Sequence, residues 1–81
     1  MHVRVVPFAR IREIVGSAEI ERHARDGVTA GEIWDGLAAD FPALAGLRAS
    51  TRFVRNGAFV VAETSLADGD ELGLLPPYGG G

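Results

Sequence analysis

The sequence predicts an α+β domain in which one main helix packs on one face of a sheet of about five strands. Three observations support this prediction: a β-branched segment at residues 3–8, a capped amphipathic helix after Thr29, and two short apolar segments joined by Asn56-Gly57. A chain of 81 residues is long enough for one domain but not for two. The order of the strands in the sheet does not follow from the pattern.

The first part of the chain predicts a strand, a short helix and a second strand. Residues 3–8 form the first strand, and Pro7, which cannot donate a ladder hydrogen bond, is expected at its end or at a bulge. Residues 9–15 have apolar side chains at helical spacing, and Gly16 is placed to end that helix. Residues 18–24 alternate between polar and apolar, which indicates a strand with one solvated face.

The main helix has the clearest local signals. Thr29 and Glu32 have the spacing of a capping box, and Val28 and Ile33 have that of a hydrophobic staple. Pro42 is expected to stop the helix. The predicted apolar stripe consists of Ala30, Ile33, Trp34, Leu37, Ala38 and Phe41.

The second half of the chain predicts three further strands. Residues 43–50 are expected to form a loop that follows the helix, with Leu44 and Leu47 tucked inwards. Asn56-Gly57 is a strong signal for a type I′ hairpin turn, and residues 66–70 are expected to form a second turn. The predicted strands cover residues 52–55, 58–61 and 71–75.

Composition excludes several classes of function. The net charge is −3, so no basic surface for nucleic acid is expected. The chain has no cysteine, which excludes disulfides and thiol nucleophiles and favours a cytoplasmic location for so small a domain. No apolar segment has the length of a signal peptide or a membrane span. All eight basic residues are arginine, so the protein cannot build lysine-linked chains of itself.

The sequence shows no enzyme active site. His2 and His23 are far apart and lack ligand-spaced partners, so no metal site is predicted and His23 is expected to face solvent. Residues 68–71 resemble the start of a calcium loop but lack its other ligands, so a tight turn is the better interpretation. No serine lies in a recognisable nucleophile motif.

The remaining candidate is the C-terminal segment, residues 76–81, for which we expect an extended flexible tail after a domain of residues 1–75. A frayed chain end is the alternative. Glycines lack side chains, so Gly79, Gly80 and Gly81 could thread a narrow channel in another protein. The carboxylate of Gly81 could then attack the α-phosphate of ATP, and a sulfur donor could displace AMP to leave a thiocarboxylate.

Four segments of the chain resemble a known family: residues 8–16, 54–57, 66–72 and 75–81. The chain resembles the ubiquitin-like sulfur carriers of the MoaD/ThiS type, and within them the small subunit of molybdopterin synthase. The most specific features of the resemblance are the acidic turn, the short apolar strand, the Pro-Pro pair and the terminal Gly-Gly. The departures are Pro7, Tyr78 and Gly79, and none affects the terminal Gly80-Gly81.

The resemblance implies a β-grasp fold and a carrier without an active site of its own. Gly81 would bear the thiocarboxylate, and the tail would insert into a large catalytic subunit that passes the sulfur to a pterin precursor in molybdenum cofactor biosynthesis. No cofactor would be bound, because ATP is used by an E1-like adenylating enzyme, and sulfur would come from a donor such as a cysteine desulfurase or rhodanese. The implied partner-binding residues are Phe8, Arg12, Phe59, Leu75, Pro76, Pro77, Tyr78 and Gly79.

Several alternatives stay open. Leu75 could equally be a core residue, although strand alternation places Leu74 and Leu75 on opposite faces. The same carrier chemistry could serve cysteine, thiamine or tRNA thiolation, because the partner selects the acceptor. A ubiquitin-like protein modifier or a plain interaction module belongs to a different class. Isopeptide conjugates on lysines of other proteins would identify the modifier, and removal of Gly80-Gly81 without any effect would identify the interaction module.

Overall fold

The computed structural model describes residues 1–76. The predictions made for Pro77, Tyr78, Gly79, Gly80 and Gly81 lie outside the described residues. The elements are β1 (His2–Pro7), α1 (Ala9–Val15), β2 (Ile20–His23), α2 (Ala30–Asp40), a 3₁₀ helix (Pro42–Ser50), β3 (Arg52–Arg55), β4 (Ala58–Val60) and β5 (Glu71–Leu75). None of the helices in this part of the chain has the length and apolar character needed to cross a membrane.

The five strands form one mixed sheet in the order β2-β1-β5-β3-β4. The last strand, β5, lies in the centre, where it pairs parallel to β1 and antiparallel to β3. The other two pairs are antiparallel: β1 with β2, which are joined through α1, and β3 with β4, which form a hairpin. A closing strand beside the first strand and one main helix across the sheet make this a β-grasp fold, as predicted.

The core lies between α2 and one face of the sheet. Trp34 of α2 packs edge-to-face on Phe53 of β3, with ring centroids 6.4 Å apart. Burial of a large apolar side chain contributes about 1.5–3 kcal/mol, so the helix stripe is a main source of stability. The fully buried large side chains are Trp34, Ile11, Leu37, Leu44, Leu72, Leu74, Val3, Val5 and Pro7.

The start of α2 confirms the predicted capping box. The Glu32 backbone N–H donates to the Thr29 hydroxyl at 3.1 Å, and the Thr29 backbone N–H donates to the Glu32 carboxylate at 2.9 Å. Val28 and Ile33 are both buried in the same core cluster. Arg25 donates to both oxygens of Glu32, and these bonds together with the Thr29 backbone bond lower the pKa of that carboxyl from 4.5 to about 2.

The loop predicted for residues 43–50 is wrong, because a 3₁₀ helix covers Pro42–Ser50. Proline is favoured in the first turn of a helix, and Leu44 and Leu47 stand three residues apart, which is one 3₁₀ turn. Leu44 is fully buried and Leu47 packs against the core, as expected. Two strands are also shorter than predicted: β2 begins at Ile20, which pairs with Val5, and β4 ends at Val60.

Asp70 joins the two predicted turns of the C-terminal half. Its buried carboxylate accepts hydrogen bonds from Arg55 Nε at 2.8 Å, Asn56 Nδ2 at 2.9 Å and the Ala67 backbone N–H at 2.7 Å. Burial alone would raise the pKa of Asp70, but these bonds outweigh it and hold the pKa below its ordinary value. Asn56 and Gly57 both have positive φ, as a type I′ turn requires.

Candidate functional site

The candidate site lies on the open face of the sheet, which is the face turned away from α2. Alternation along β5 buries Leu72 and Leu74 against the helix and places Glu71, Gly73 and Leu75 on the open face. The strand pairing then divides this face into two halves. Its charged half adjoins Glu71 at the start of β5, and its apolar half adjoins Leu75 at the end.

The apolar half forms a continuous surface that we call the apolar patch, and its two aromatic rings are exposed. Phe8 is 46% exposed and Phe59 is 66% exposed. Gly73 is central to the patch, because its strand partners are Val6 in β1 and Val54 in β3. The patch consists of Val6, Phe8, Val54, Phe59, Gly73 and Leu75.

Phe8 is held in place by backbone bonds to the sheet and to α1. Its N–H donates to the Leu74 carbonyl at 3.1 Å, and its carbonyl accepts from Ile11 and Arg12 at the start of the helix. Phe8 itself has extended angles, φ −122° and ψ 155°, so it continues the path of β1. The aromatic ring is therefore presented on the open face by a fixed backbone.

Phe59 lies on the other side of the patch, in β4, directly opposite Val54 of β3. The Arg52 guanidinium lies 6.0 Å from the Phe59 ring centroid, within range of a cation–π interaction. A surface groove extends from Phe59 to the end of β5 and Pro76. It is lined by Ala49, Ser50, Thr51, Arg52, Phe59, Leu75 and Pro76.

The structure brings together most of the predicted docking residues that it describes. Phe8, Phe59 and Leu75 share the open face, and Pro76 lines the groove with Phe59 and Leu75. Leu75 is half-buried while Leu74 is fully buried, so strand alternation correctly placed the two leucines on opposite faces. Arg12 is exposed on α1 and lines a separate shallow cleft with Glu13 and Ser17, and this cleft contains none of the patch residues.

Sequence reasoning missed three members of the patch: Val6, Val54 and Gly73. Their positions follow from strand alternation, since each lies an even number of residues from Phe8 or Leu75 or opposite Phe59. Gly73 gave no signal of its own because glycine carries no side chain to count in an apolar pattern.

The two histidines lie side by side on the charged half of the open face, which contradicts one expectation from the sequence. His2 and His23 are strand partners in β1 and β2, and their ring centroids lie 4.1 Å apart. The expectation that they lie far apart without partners was therefore wrong. The reason is the β1–β2 register, which joins residues distant in sequence. His23 is exposed, as predicted.

Comparisons of the sequence and of the fold with known proteins identify the family of this chain. The model of the ThiS family matches residues 5–81. Small archaeal modifier protein 3 of Haloferax volcanii is 33% identical and covers 91% of this chain and 92% of its own length. The molybdopterin synthase sulfur carrier subunit of Chlamydomonas reinhardtii is 31% identical over all of both chains. The crystal structure of SAMP1 from Haloferax volcanii superposes with a TM-score of 0.86, at 28% identity and full coverage of both chains.

The family match begins at Val5 within β1 and continues through β5, so it includes the apolar patch and the glycine-ending segment. The chain therefore belongs to the ThiS family of ubiquitin-like sulfur carriers.

Proposed function

We propose that this chain carries sulfur as a thiocarboxylate on Gly81 and donates it to a pterin precursor as the small subunit of molybdopterin synthase. The proposal rests on the position of Pro76, the last residue that the structure describes. Pro76 follows the central strand β5 and lines one groove with Phe59 and Leu75, beside the exposed apolar patch. A partner bound to the patch would therefore lie next to the start of residues 77–81.

The charging chemistry needs only the terminal carboxylate. A carboxylate oxygen of Gly81 attacks the α-phosphorus of ATP on an E1-like adenylating enzyme, and pyrophosphate leaves. A persulfide from a donor such as a cysteine desulfurase or rhodanese then attacks the acyl carbon, and AMP leaves. Reductive cleavage of the resulting acyl disulfide by a thiol releases the thiocarboxylate. Gly80 provides a backbone without a side chain beside the reacting carbon.

The docking partner in this proposal is the large catalytic subunit, which supplies the catalytic residues. Exposed aromatic side chains on a continuous apolar surface favour a protein interface, because such surfaces are costly to leave in water. The Arg52 guanidinium lies against the Phe59 ring at the edge of the apolar patch, so an acidic group on the partner would fit there. The chain has no cysteine, which supports assembly in the reducing cytoplasm.

Thiol alkylation tests the proposal directly. The protein is incubated with ATP, its adenylating enzyme and a sulfur donor, then alkylated at neutral pH and examined by intact mass and peptide mapping. Because the chain has no cysteine, a single adduct mapped to Gly81 identifies a thiocarboxylate. The variant without Gly81 is the control and is expected to stay folded and uncharged. No adduct from partners that charge a known carrier would overturn the proposal.

A second step separates the acceptor pathways. Addition of the large subunit and a pterin precursor should consume the alkylatable thiocarboxylate and form the dithiolene product. Consumption only with a cysteine, thiamine or tRNA acceptor system would keep the carrier chemistry and reject the pterin pathway.

A protein modifier is the second candidate, favoured by the 33% identity to a Haloferax protein named as a small archaeal modifier. In that case the Gly81 carboxylate would be joined to lysine amines of other proteins. Isopeptide-linked Gly-Gly remnants on target lysines would distinguish it from the carrier. All eight basic residues of this chain are arginine, so no such remnant can form on the chain itself.

A further inference from the structure

The charged half of the open face brings together His2, Glu21 and His23, and we propose that they form a binding site for a divalent transition-metal ion such as Zn²⁺. Each of the three side chains offers one ligand atom, and these atoms all lie within 4.8 Å of one another. His2 Nδ1 already lies 2.5 Å from Glu21 Oε1. None of the three residues belongs to the apolar patch.

The strand register explains why these side chains meet. His2 pairs with His23, and Arg4 pairs with Glu21, so all four residues point to the open face. Side chains directly opposite in an antiparallel pair have Cβ atoms about 4.5–5.5 Å apart, and diagonal neighbours remain within reach. Two sheet strands therefore supply the ligands, and the site exists only when β1 and β2 are paired.

The geometry requires only small side-chain movements. Ligand atoms on a tetrahedral zinc ion lie about 3.4 Å apart, given metal–ligand distances of about 2.0–2.2 Å. The present separations of up to 4.8 Å would close by rotation of side chains that are not packed. His2 and Glu21 side chains are 53% and 61% exposed, so such rotation is unhindered.

The nearest cation, Arg4, is paired with other carboxylates, so Glu21 can act as a metal ligand beside the two imidazoles. Arg4 is the cation nearest in the strand register, but its guanidinium is paired with Glu71 at 2.5 Å and Glu19 at 3.6 Å. The His2 backbone N–H donates to Asp68 Oδ1 at 2.7 Å, which fixes the main chain below the His2 ring. In this structure the His2 Nδ1–H donates to the Glu21 carboxylate, which only accepts hydrogen bonds. A metal ion would replace this proton and lie between the Nδ1 lone pair and the Glu21 oxygen.

The ligand set indicates the class of metal. Two imidazoles and one carboxylate suit zinc, nickel, copper and iron, whereas calcium and magnesium prefer oxygen ligands alone. Three protein ligands leave at least one coordination position open to water or to a partner's side chain. His2 lies five residues before Pro7 in β1, so the cluster is about 16 Å along the strand from the point where Pro7 pairs with Leu74 of β5.

Calorimetric titration of the untagged protein with Zn²⁺ tests the proposal. We expect one ion per chain, and a Tm that rises with Zn²⁺ concentration, because the ion binds only the paired strands. His2→Gln, His23→Asn and Glu21→Gln should each weaken binding by at least the roughly 10- to 100-fold that loss of an outer-shell partner costs. Glu63→Gln, an exposed acid outside the cluster, is the matched control and should bind like the parent.

Two outcomes would overturn the proposal. One is binding that is equally weak in the parent and in all three ligand variants. The other is tight binding that survives His23→Asn, because this would place the ion on the N-terminal amine and His2 alone. Circular dichroism of each variant shows that it is folded, and the three exposed side chains make no core contacts whose loss would unfold the protein.

Discussion

The ring of Phe8 lies over the backbone of Gly73 in the centre of the sheet. A Cβ atom built at residue 73 would come 3.4 Å from Phe8 Cε2 and 3.4 Å from Val54 Cβ. The same Cβ would lie 3.6 Å from Leu75 Cδ1. The three contacts leave room for a methyl group at position 73 but not for a larger side chain, so a small residue there lets the aromatic ring and the two aliphatic side chains close over β5.

Gly73→Val is expected to disrupt the apolar patch while the fold is retained. The two added methyl groups need space held by Phe8 and Val54, so these side chains must move outwards. Overpacking of this kind costs about 1–3 kcal/mol. We expect affinity for the proposed large-subunit partner to fall by about tenfold or more, measured by calorimetry on purified proteins.

Gly73→Ala is the matched control for this prediction. Its single methyl group would meet its neighbours at ordinary contact distance, and the unfolding free energy should stay within about 0.5 kcal/mol of the parent value. If Gly73→Val bound the partner as tightly as the parent, the position of Phe8 over Gly73 would not matter for docking.

Phe59→Asp is expected to weaken binding to the large subunit more strongly. Phe59 is 66% exposed, so the substitution removes little core packing, but it places a charge in an apolar interface. A central aromatic contact is worth about 2 kcal/mol or more, which corresponds to about 30-fold in affinity. Surface plasmon resonance with the immobilised large subunit would measure the loss.

The control for Phe59 is Ala58→Asp, which puts the same charge on the neighbouring exposed residue of β4. Ala58 pairs with Arg55 rather than Val54, so its side chain points away from the open face. Affinity equal to the parent is expected for this control. Unchanged affinity in Phe59→Asp would move the interface to another surface.

Local signals in the sequence predicted much of the fold. The spacing of Thr29 and Glu32 predicted the capping box, and Asn56-Gly57 predicted the turn, because both depend on residues that are near each other in sequence. Pro7 ends β1 as expected, since proline cannot donate a ladder bond. The parallel pairing of β1 with β5 was not derivable from periodicity, and the family resemblance supplied it.

The features that sequence reasoning missed depend on strand register. His2 and His23 meet only because the β1–β2 pairing sets them opposite each other. Gly73 is important for its lack of a side chain, and that role becomes visible only when Phe8 and Val54 are placed around it. Propensity did not distinguish a loop from a 3₁₀ helix at residues 42–50, because both suit short segments with proline and glycine.

Asp70→Asn is expected to destabilise the fold by about 1–3 kcal/mol, because a buried carboxylate that accepts three hydrogen bonds is replaced by an amide with a donor group. The Nδ2 group of the new side chain would face either Arg55 or Asn56, which are donors themselves. Urea denaturation at neutral pH measures the change. Asp68→Asn, in the same turn but exposed, is the control and should cost less than half as much.

The Glu32 carboxyl is expected to make stability depend on pH in the acid range. Its pKa is lowered to about 2 in the folded protein, mainly by the hydrogen bond from Arg25, against 4.5 in the unfolded chain. The folded state therefore binds fewer protons, so the stabilisation is complete above the unfolded pKa and is lost as pH falls towards the folded pKa. Because the pair is exposed, high salt should reduce the effect.

Glu32→Gln tests this dependence by urea denaturation from about pH 7 to pH 2.5, the interval that spans both pKa values. The unfolding free energy of the parent should exceed that of the variant at neutral pH. This difference in unfolding free energy should become smaller below about pH 4.5, because the parent carboxyl becomes protonated. Glu63→Gln, whose carboxyl lies outside the capping box, should follow the parent throughout. A difference between parent and Glu32→Gln that stays constant over the whole range would mean that the carboxyl acts by shape alone and that its charge contributes nothing to the start of α2.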